Sequence, residues 1–340
     1  MARTERVTLK EIAALTGVSM TTISKVLNGA NDVSSATRAM VEEQLRASGY
    51  RSRGRRQRRE YIEVVLHELG SEWDLAIIEG VRESAAESGL AVSISVSGDR
   101  HAPASEWLDS VVRRRPTGII LLFAGIPPEG RSMLKARGIP FVIIDPAGDP
   151  APGIPAVGSA NWSGGVSATR HLIGLGHRRI AAITGPEDVM CSLARLDGYR
   201  AAMRSARLPV EPEWVRFGDF HRGGGEVHAA ELLRLRNRPT AIFAGNDLQA
   251  VGVLHAATAL GIAVPDELSV VGFDDLAIAE LANPRLTTIH QPLREMAEQA
   301  TSLVLQLLDG PQPEVTRVEL ATSLVVRDST ARPLHRIAVD

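Results

Sequence analysis

Between residues 8 and 48 the apolar positions recur at the spacing of three short amphipathic helices. The first begins at Thr8, where Glu11 three positions later completes a capping box. Gly17 ends it, because glycine adopts the backbone conformation that a tight turn requires. The other two helices follow from apolar side chains at helical spacing, namely Ile23, Val26 and Leu27, then Met40, Val41 and Leu45. The pattern predicts an all-α head.

From Tyr61 the period changes, and short β-rich runs alternate with helical segments. One series contains YIEVVL, TGIILLF and PFVII, and a second series, after Ala160, contains RIAAIT, TAIFAG and LSVVGF. Apolar strands that alternate with helices are typical of parallel sheets covered on both faces. The two series therefore predict an α/β body of two doubly wound lobes, with a ligand site beyond the carboxyl ends of the strands.

Charge is distributed unevenly along the chain. Residues 1–60 contain 12 Lys and Arg against 6 Asp and Glu, whereas the remainder contains 26 against 34. Residues 51–60 alone hold six arginines beside a single acid, Glu60. A basic head on an acidic body indicates that the head meets a polyanion. Chance clustering is the alternative for this uneven charge, and a solvated linker and a nuclear address are the alternatives for the arginine run.

Several functional classes lack their motifs. The chain has no phosphate-binding loop, no nucleophile elbow and no metal-ligand histidine spacing, so we expect no cofactor, metal or enzymatic activity. The single cysteine, Cys191, excludes an intrachain disulfide and favours a core role over a nucleophilic one. His171 and His177 flank a predicted helix end, where a surface or capping role is expected. Without a membrane-length apolar run or a secretory signal, a cytoplasmic protein is the simplest interpretation.

The segment LKEIAALTGVSMTTISKVLN fits a helix-turn-helix. Ala13, four residues before Gly17, lets two helices approach closely. The second helix then presents Thr21, Lys25 and Asn28 on one face, with Met20 beside them at its start. Hydrogen-bonding and cationic side chains near that end are suited to the major groove of DNA. An ordinary three-helix surface bundle is the alternative.

The chain resembles the LacI/GalR transcriptional regulators over nearly its whole length. The resemblance lies in VTLKEIAALTGVSMTTISKVLNGANDVSSATRAMVEEQLRASGYR, GHRRIAAITGP, ARLDGYRAAM, PTAIFAGNDLQAVGVLHAATALGIAVPDELSVVGFDD and NPRLTTIHQPLREMAEQA. It implies a homodimer with two DNA-binding heads on bodies similar to type I periplasmic sugar-binding proteins. It also implies that an effector bound in the interlobe cleft changes the affinity for operator DNA.

The resemblance assigns roles to individual residues. In the head, Met20, Thr21 and Lys25 match positions that face base edges, and Ser19, Thr22 and Asn28 match phosphate or capping positions. In the body, the positions that match the family's effector contacts are Trp73, Asp145, Arg195, Phe220, Asn246 and Asp274. Carboxylate, amide and guanidinium groups bind sugar hydroxyls, and aromatic faces pack on sugar rings. Core packing is the alternative for the two aromatic residues.

Three parts of the chain are expected on these grounds. A helix-turn-helix domain is expected over 1–49, an arginine-rich hinge over 50–60 and an effector-binding and dimerisation domain over 61–340. Within that domain, lobe one is expected over about 61–159 plus 291–318, and lobe two over about 160–290 plus 319–332.

The hinge departs from the family pattern. There the segment after GYR reads Pro-Asn-x-x-Ala-x-x-Leu, forms a helix on DNA and inserts its leucine into the minor groove. Here it reads SRGRRQRRE, without the alanine or the leucine, and Gly54 disfavours a helix by about 1 kcal/mol relative to alanine. We expect the arginines to lie along or within the minor groove instead. They are Arg51, Arg53, Arg55, Arg56, Arg58 and Arg59.

The function expected from the sequence is that of a dimeric regulator, a repressor, that binds a near-palindromic operator and responds to a mono- or oligosaccharide. A solute-binding protein of a sugar transport system would need a signal peptide and no helix-turn-helix. A sugar-processing enzyme would need an acid–base pair, for which only Asp274 and Asp275 offer candidates. The chain ends without the leucine-rich helix of tetrameric relatives, which favours a dimer.

Overall fold

The computed structural model describes residues 8–27, 33–48, 59–98, 105–122, 125–146, 153–309 and 317–333. The head consists of α1 (Leu9–Thr16), α2 (Met20–Leu27) and α3 (Ser35–Ala47). The capping box is present, because Glu11 accepts the Thr8 N–H at 2.6 Å and donates its own N–H to Thr8 Oγ1 at 3.4 Å. Gly17 ends α1 in the left-handed conformation, with φ at 68°. The sequence therefore predicted both ends of this helix.

A small apolar core holds the three head helices together. Each helix contributes one or two buried residues to this core, which are Ile12, Ile23, Val26 and Val41. Ala13 and Val18 pack against this core at the turn between α1 and α2. Ser19 caps α2 by accepting the N–H of Thr22 at 3.1 Å, and Ser34 caps α3 in the same way.

Lobe one is a six-stranded parallel sheet in the order β2-β1-β3-β4-β5-β11, with helices on both faces. Its strands are β1 (Arg59–Leu66), β2 (Ala91–Val96), β3 (Pro116–Leu122), β4 (Phe141–Ile144), β5 (Ala156–Ser159) and β11 (Arg317–Leu320). Its helices are α4 (Glu72–Glu87), α5 (Ser105–Arg114), α6 (Pro128–Ala136) and α12 (Leu293–Asp309). Every residue of β3 is buried, as a central strand covered on both faces requires.

Lobe two is a four-stranded parallel sheet in the order β7-β6-β8-β9. Its strands are β6 (Ile180–Thr184), β7 (Val215–Phe217), β8 (Ala241–Ala244) and β9 (Ser269–Val271). Its helices are α7 (Asn161–Leu175), α8 (Met190–Ser205), α9 (Arg222–Leu233), α10 (Asp247–Ala259) and α11 (Ala277–Leu281), with a 3-10 turn at Pro212–Trp214. A short antiparallel pair, β10 (Thr288–His290) and β12 (Ser323–Val325), packs against α7.

The chain passes between the lobes three times. The crossings lie between β5 and α7, between β10 and α12, and between β11 and β12. Two differences from the expected boundaries appear here. Strand β1 begins at Arg59, inside the expected hinge, and β11 stays paired with β5 through Leu320, two residues beyond the expected end of lobe one. In both cases strand pairing extends the sheet beyond the run of apolar residues.

Candidate functional site

A cavity of about 200 Å³ lies between the two lobes and is called the first cavity here. Lobe one contributes the turn after β1 and the start of α4, and lobe two contributes the connections that follow its parallel strands. The structure brings five of the six expected effector residues to this cavity: Trp73, Arg195, Phe220, Asn246 and Asp274. Phe220, Asn246 and Asp274 lie in connections that follow strands of lobe two, and Trp73 and Arg195 lie in the helices that follow β1 and β6. Their convergence follows from topology, because all these segments leave their sheets at the carboxyl ends of parallel strands.

Arg195 occupies the buried wall of the first cavity. Its Nε donates to Asn161 Oδ1 at 2.8 Å, and its Nη1 donates to the Gly245 carbonyl at 2.6 Å. Nη1 also pairs with Asp274 Oδ1 at 3.4 Å. Its guanidinium carbon lies 3.7 Å from the centroid of the Phe273 ring, which is a cation–π arrangement. Arg195 is therefore held in one orientation before any ligand binds.

The close packing of α7 on α8 sets the position of Arg195. A Cβ added at Gly165 would lie 2.2 Å from the Arg195 carbonyl, and one added at Gly198 would lie 2.2 Å from the Trp162 carbonyl. Glycine is therefore required at both positions, because a larger residue would push the two helices apart. This contact explains why ARLDGY carries a glycine three residues after the arginine.

Asp274 faces Arg195 from the connection after β9. Burial raises the pKa of Asp274 to about 7, although the charge of Arg195 opposes this rise. Gln291 Nε2 donates to Asp274 Oδ1 at 2.5 Å, and Gln291 Oε1 in turn accepts the Ser159 hydroxyl at 2.8 Å. Since Ser159 and Gln291 lie at two of the three interlobe crossings, the carboxylate is linked directly to the hinge between the lobes.

The buried carboxylate of Asp247 holds the loop that carries Asp274 in place. Asp247 accepts the Thr288 hydroxyl at 2.6 Å and the Leu276 N–H at 2.9 Å. Burial raises its pKa well above the ordinary value, and the nearby charge of Asp274 adds to this rise. Asp274 also has a positive φ of 109°, a conformation that only surrounding contacts can maintain in a non-glycine residue.

A hydrogen bond connects Asn246 to the backbone of Phe220. Asn246 caps α10 by accepting the N–H of Gln249 at 2.9 Å, and its Nδ2 donates to the Phe220 carbonyl at 2.9 Å. Phe220 has a positive φ of 66°, and its ring covers Gly185 so closely that a Cβ there would lie 2.0 Å from the ring. The ring therefore lies against the connection after β6 and forms a wall of the first cavity.

Trp73 belongs both to the apolar core of lobe one and to the wall of the first cavity. It is 5% exposed and belongs to the apolar core of lobe one, yet it also lines the first cavity. The alternative of core packing and the expected cavity position are therefore both observed for this residue.

Asp145 does not reach the first cavity. It lines a neighbouring cavity of about 270 Å³, called the second cavity here, and Cys191 lines both. Asp145 is 3% exposed, has a positive φ of 44°, and accepts the Ser159 N–H at 3.4 Å. Burial raises its pKa to about 6, with Arg195 opposing the rise. Asp145 directly follows the strand run PFVII in the sequence, but a position after a strand does not tell which side of the cleft the side chain lines.

Sequence reasoning missed the polar groups that lobe one contributes. Glu68 Oε1 lies 3.4 Å from His221 Nε2 across the cleft and 3.3 Å from His67 Nε2 on its own lobe. The Ile278 N–H donates to Glu72 Oε2 at 3.3 Å, which is a second contact between the lobes. Residues 67 and 68 follow β1 directly, so the rule that ligands lie beyond strand ends would have found them.

In the head, α2 presents the expected outward face. Met20 is 53% exposed, and Thr21 and Lys25 are also exposed. Thr22 and Ser19 contact each other at 2.9 Å between their hydroxyl oxygens, so both serve the cap of α2. Asn28, Arg51, Arg53, Arg55, Arg56 and Arg58 lie outside the described residues, and Arg59 is described only as the first backbone position of β1.

Comparison with known proteins decides the family. Residues 8–52 match the model of bacterial regulatory proteins of the lacI family, and residues 169–330 match that of a periplasmic binding protein-like domain. The transcriptional regulator CelR of Thermobifida fusca is 33% identical over 97% of this chain and 100% of its own length. The chain belongs to the LacI family.

Two solved structures of LacI-family regulators share its fold. A CelR–cellobiose complex has a TM-score of 0.73 at 32% identity, covering 95% of this chain and all of the other. The lac repressor dimer bound to operator and the anti-inducer ONPF has a TM-score of 0.71 at 26% identity, covering 96% and 100%. The fold class expected from the sequence is confirmed, as is a transcriptional regulator rather than an enzyme.

The structure also shows the surroundings of Cys191 and His177, for which the sequence predicted particular roles. Cys191 is buried, and burial raises the pKa of its thiol to about 12, which opposes a nucleophilic role. His177 is 1% exposed and so not on the surface, but it does cap a helix, because its N–H donates to the Leu172 carbonyl at 3.1 Å at the end of α7. Its ring contacts Thr240, Ser269 and the Ala331 carbonyl. Its partners lie far away in sequence, so local pattern gave no signal.

Among the described residues, no group of three or more His, Cys, Asp and Glu side chains is arranged to hold a metal ion. Within the same ranges, each helix is too short or too polar to span a lipid bilayer.

Proposed function

We propose that this LacI-family regulator is a homodimeric repressor whose affinity for a near-palindromic operator is controlled by a small carbohydrate in the first cavity. The observation that carries the proposal is the convergence of Arg195, Asn246 and Asp274 beside the aromatic side chains of Trp73 and Phe220. Fixed polar groups next to apolar ring faces suit a ligand with hydroxyls on its edge and C–H groups on its face. CelR, a relative with a cellobiose complex, supports the same ligand class.

Control of DNA binding follows from the position of the first cavity between two lobes joined by three crossings. A ligand there contacts lobe one through Trp73 and lobe two through Arg195 and Asp274. It therefore stabilises one relative arrangement of the lobes over others, and a ligand shifts a conformational equilibrium by its difference in affinity for the two states. The hydrogen bonds that link Asp274 through Gln291 to Ser159 extend this coupling to the segments that cross between the lobes.

DNA recognition is assigned to the exposed face of α2. Met20, Thr21 and Lys25 contact base edges, while Ser19, Thr22 and Asn28 contact phosphates or cap the helix. The arginines of 51–59 neutralise phosphates and lie along the minor groove at the operator centre. Such a regulator acts in the cytoplasm, where the bacterial chromosome lies.

The test is a titration of fluorescently labelled genomic fragments with the protein, with and without mono- and oligosaccharides. We expect selective binding to a subset of fragments, with an affinity that one class of sugar changes by about tenfold or more, which corresponds to about 1.4 kcal/mol. Sugar binding without DNA binding would favour a solute-binding protein instead. DNA binding that no sugar alters would contradict the assignment of a carbohydrate effector but would not contradict the assignment as a DNA-binding regulator.

A further inference from the structure

A further cavity, called the third cavity here, lies on lobe two at the end opposite to the interlobe cleft. Its walls are the connections that precede β6, β8 and β9, so it lies at the amino ends of strands whose carboxyl ends face the first cavity. Its volume of about 580 Å³ exceeds those of the first and second cavities, at about 200 and 270 Å³. Ligand pockets in proteins measure roughly 300–1,000 Å³, so a small organic molecule fits here.

The lining of the third cavity is positively charged. It contains four arginines and two carboxylates, which are Arg178, Arg179, Arg236, Arg238, Asp266 and Glu267. The body as a whole has the opposite balance, because residues 61–340 contain 26 Lys and Arg against 34 Asp and Glu. An anion is therefore attracted to this part of an otherwise acidic body.

Two of the arginines are held by their neighbours and form the frame of the cavity. Arg238 Nη2 donates to Glu267 Oε1 at 3.1 Å, so this carboxylate already has a cationic partner. Arg179 Nε donates to the Arg238 carbonyl at 3.0 Å. Thr240 joins the same connections, because its N–H donates to the Arg179 carbonyl at 2.9 Å and its hydroxyl contacts the buried ring of His177 at 2.9 Å. The backbone that carries the arginines is therefore fixed before a ligand binds.

Arg178 and Arg236 are the cations that a ligand can reach. Both are exposed, and neither forms an ion pair with another residue in the part of the chain that the structure describes. Each lies three residues beyond a helix, Arg178 after α7 and Arg236 after α9, whereas a cation stabilises a helix end only within its last turn. Neither an ion pair nor a helix end therefore explains these two charges.

The charge that remains in the cavity indicates the class of ligand. With Glu267 paired to Arg238, the other three arginines exceed the one remaining acid, Asp266, by two charges. The planar guanidinium group of arginine binds the oxygens of a carboxylate or a phosphate through two parallel hydrogen bonds. A ligand with two negative charges on such groups therefore balances the cavity.

We propose that the third cavity is a binding site for a small organic dianion, whose phosphate or carboxylate groups are held by Arg178 and Arg236. The site is separate from the interlobe cleft and from the DNA-binding head. It therefore does not depend on a carbohydrate effector or on operator binding.

Calorimetric titration of the full chain tests the proposal. The protein carries Ala at positions 55, 56, 58 and 59, so that the arginine run does not bind the anion. Succinate and glycerol 3-phosphate distinguish a carboxylate from a phosphate ligand, and acetate is the monoanion for comparison, all at constant ionic strength. At least one dianion should bind saturably, one per chain, with a Kd about tenfold or more below that of acetate.

Two variants alter the third cavity, and a third is the charge-matched control. Arg178→Gln with Arg236→Gln removes both reachable cations, and Asn237→Glu adds a negative charge at an exposed lining position. Each should weaken binding of the dianion by about tenfold or more. Arg113→Gln with Arg137→Gln removes two exposed arginines from lobe one and should leave the affinity within about twofold.

Four results would overturn the proposal. The first is that neither dianion binds saturably, and the second is that acetate binds as tightly as the dianions. The third is an equal loss of affinity in the cavity variants and the lobe-one control, which would show a response to net charge alone. The fourth is binding of a pentaglutamate peptide without binding of either small dianion, which would assign the arginines to an acidic protein partner.

Discussion

In the body, Arg195 is 3% exposed and its guanidinium contacts Asn161, Gly245 and Asp274. In the head, Met20 is 53% exposed, and Thr21 and Lys25 also point to solvent from α2. The expected ligand side is thus built from side chains that neighbours fix in advance, whereas the expected DNA side consists of side chains that are exposed on α2. A substitution in the body should change stability and response together, whereas one in the head should change only DNA binding.

The largest effect is expected from the arginine run. Replacing Arg55, Arg56, Arg58 and Arg59 by Ala removes up to eight charges from a dimer on DNA. Since each neutralised phosphate releases counterions, the slope of log K against log salt should fall by at most about 7. Operator affinity measured across a salt series checks this. The free energy of unfolding is measured alongside, so that a change in folding is distinguished from the loss of a DNA contact.

Four exposed arginines of lobe two provide the charge-matched control. They are Arg178, Arg204, Arg234 and Arg236. Their replacement by Ala removes the same charge away from the head and should leave the salt slope nearly unchanged. Equal slopes for the wild type and the hinge variant would contradict a DNA contact by the run. A sharp central bend in the wild-type operator complex would indicate an inserted wedge rather than arginines along the groove.

The next largest effect is expected from Arg195→Ala. It leaves Asp274 buried without its cationic partner, and breaking a buried pair in this way costs about 3–5 kcal/mol. The variant should also lose the sugar response while retaining operator binding in its remaining folded fraction. Urea denaturation measures the first effect, and operator titration with sugar measures the second.

Arg200, on the exposed face of the same helix, is the matched control for Arg195. Its only ion pair in the described structure is with Asp197 at 3.3 Å, and both partners are largely exposed. Arg200→Ala should change neither stability nor response appreciably. A wild-type sugar response in Arg195→Ala would show that the guanidinium positions the loops without contacting the effector.

Several features of the molecule could be predicted from its sequence. The capping box at Thr8 and the alternation of strands and helices are local patterns, and the structure confirms both. The convergence of Arg195 and Asp274 was also accessible. Asp274 follows β9 and Arg195 lies in the helix that follows β6, and parallel topology places the connections after both strands at one edge of the sheet.

Other features depend on contacts that no local pattern records. No local pattern indicated that Gln291 joins Asp274 to Ser159, because the three residues come from separate crossings and loops. Asp145 was expected among the effector contacts but lines the second cavity, since which side of the cleft it faces depends on the packing of lobe two. His177 lies in the core because Thr240 and Ser269 from other strands satisfy its ring nitrogens.

A smaller effect is expected from Lys25→Ala in the head. If Lys25 reads a guanine edge, the variant should lose about 1–3 kcal/mol of operator binding and relax the preference at one symmetric pair of positions. Thermal stability should change by less than about 0.5 kcal/mol, because Lys25 is exposed and surface substitutions have small effects. Selection of binding sites from a random DNA library measures the preference. Lys10→Ala, an exposed lysine on α1, is the control, and an equal loss on all sequences would make Lys25 a phosphate contact.

The smallest effect concerns pH and the carboxylate of Asp274. Burial raises the pKa of Asp274 from its ordinary value of 3.8 to about 7 in the folded protein. Between these values the folded protein binds a proton that the unfolded chain has released, so its contribution to stability decreases as pH rises. From roughly pH 6 to pH 8 this contribution should fall by about 1.4 kcal/mol. Urea denaturation at both pH values should show a smaller decrease for Asp274→Asn than for the wild type. Asp197→Asn, at an exposed position, should follow the wild type. If wild type and Asp274→Asn decrease equally, the carboxyl of Asp274 is already ionised at pH 6, and Arg195 rather than burial governs its charge.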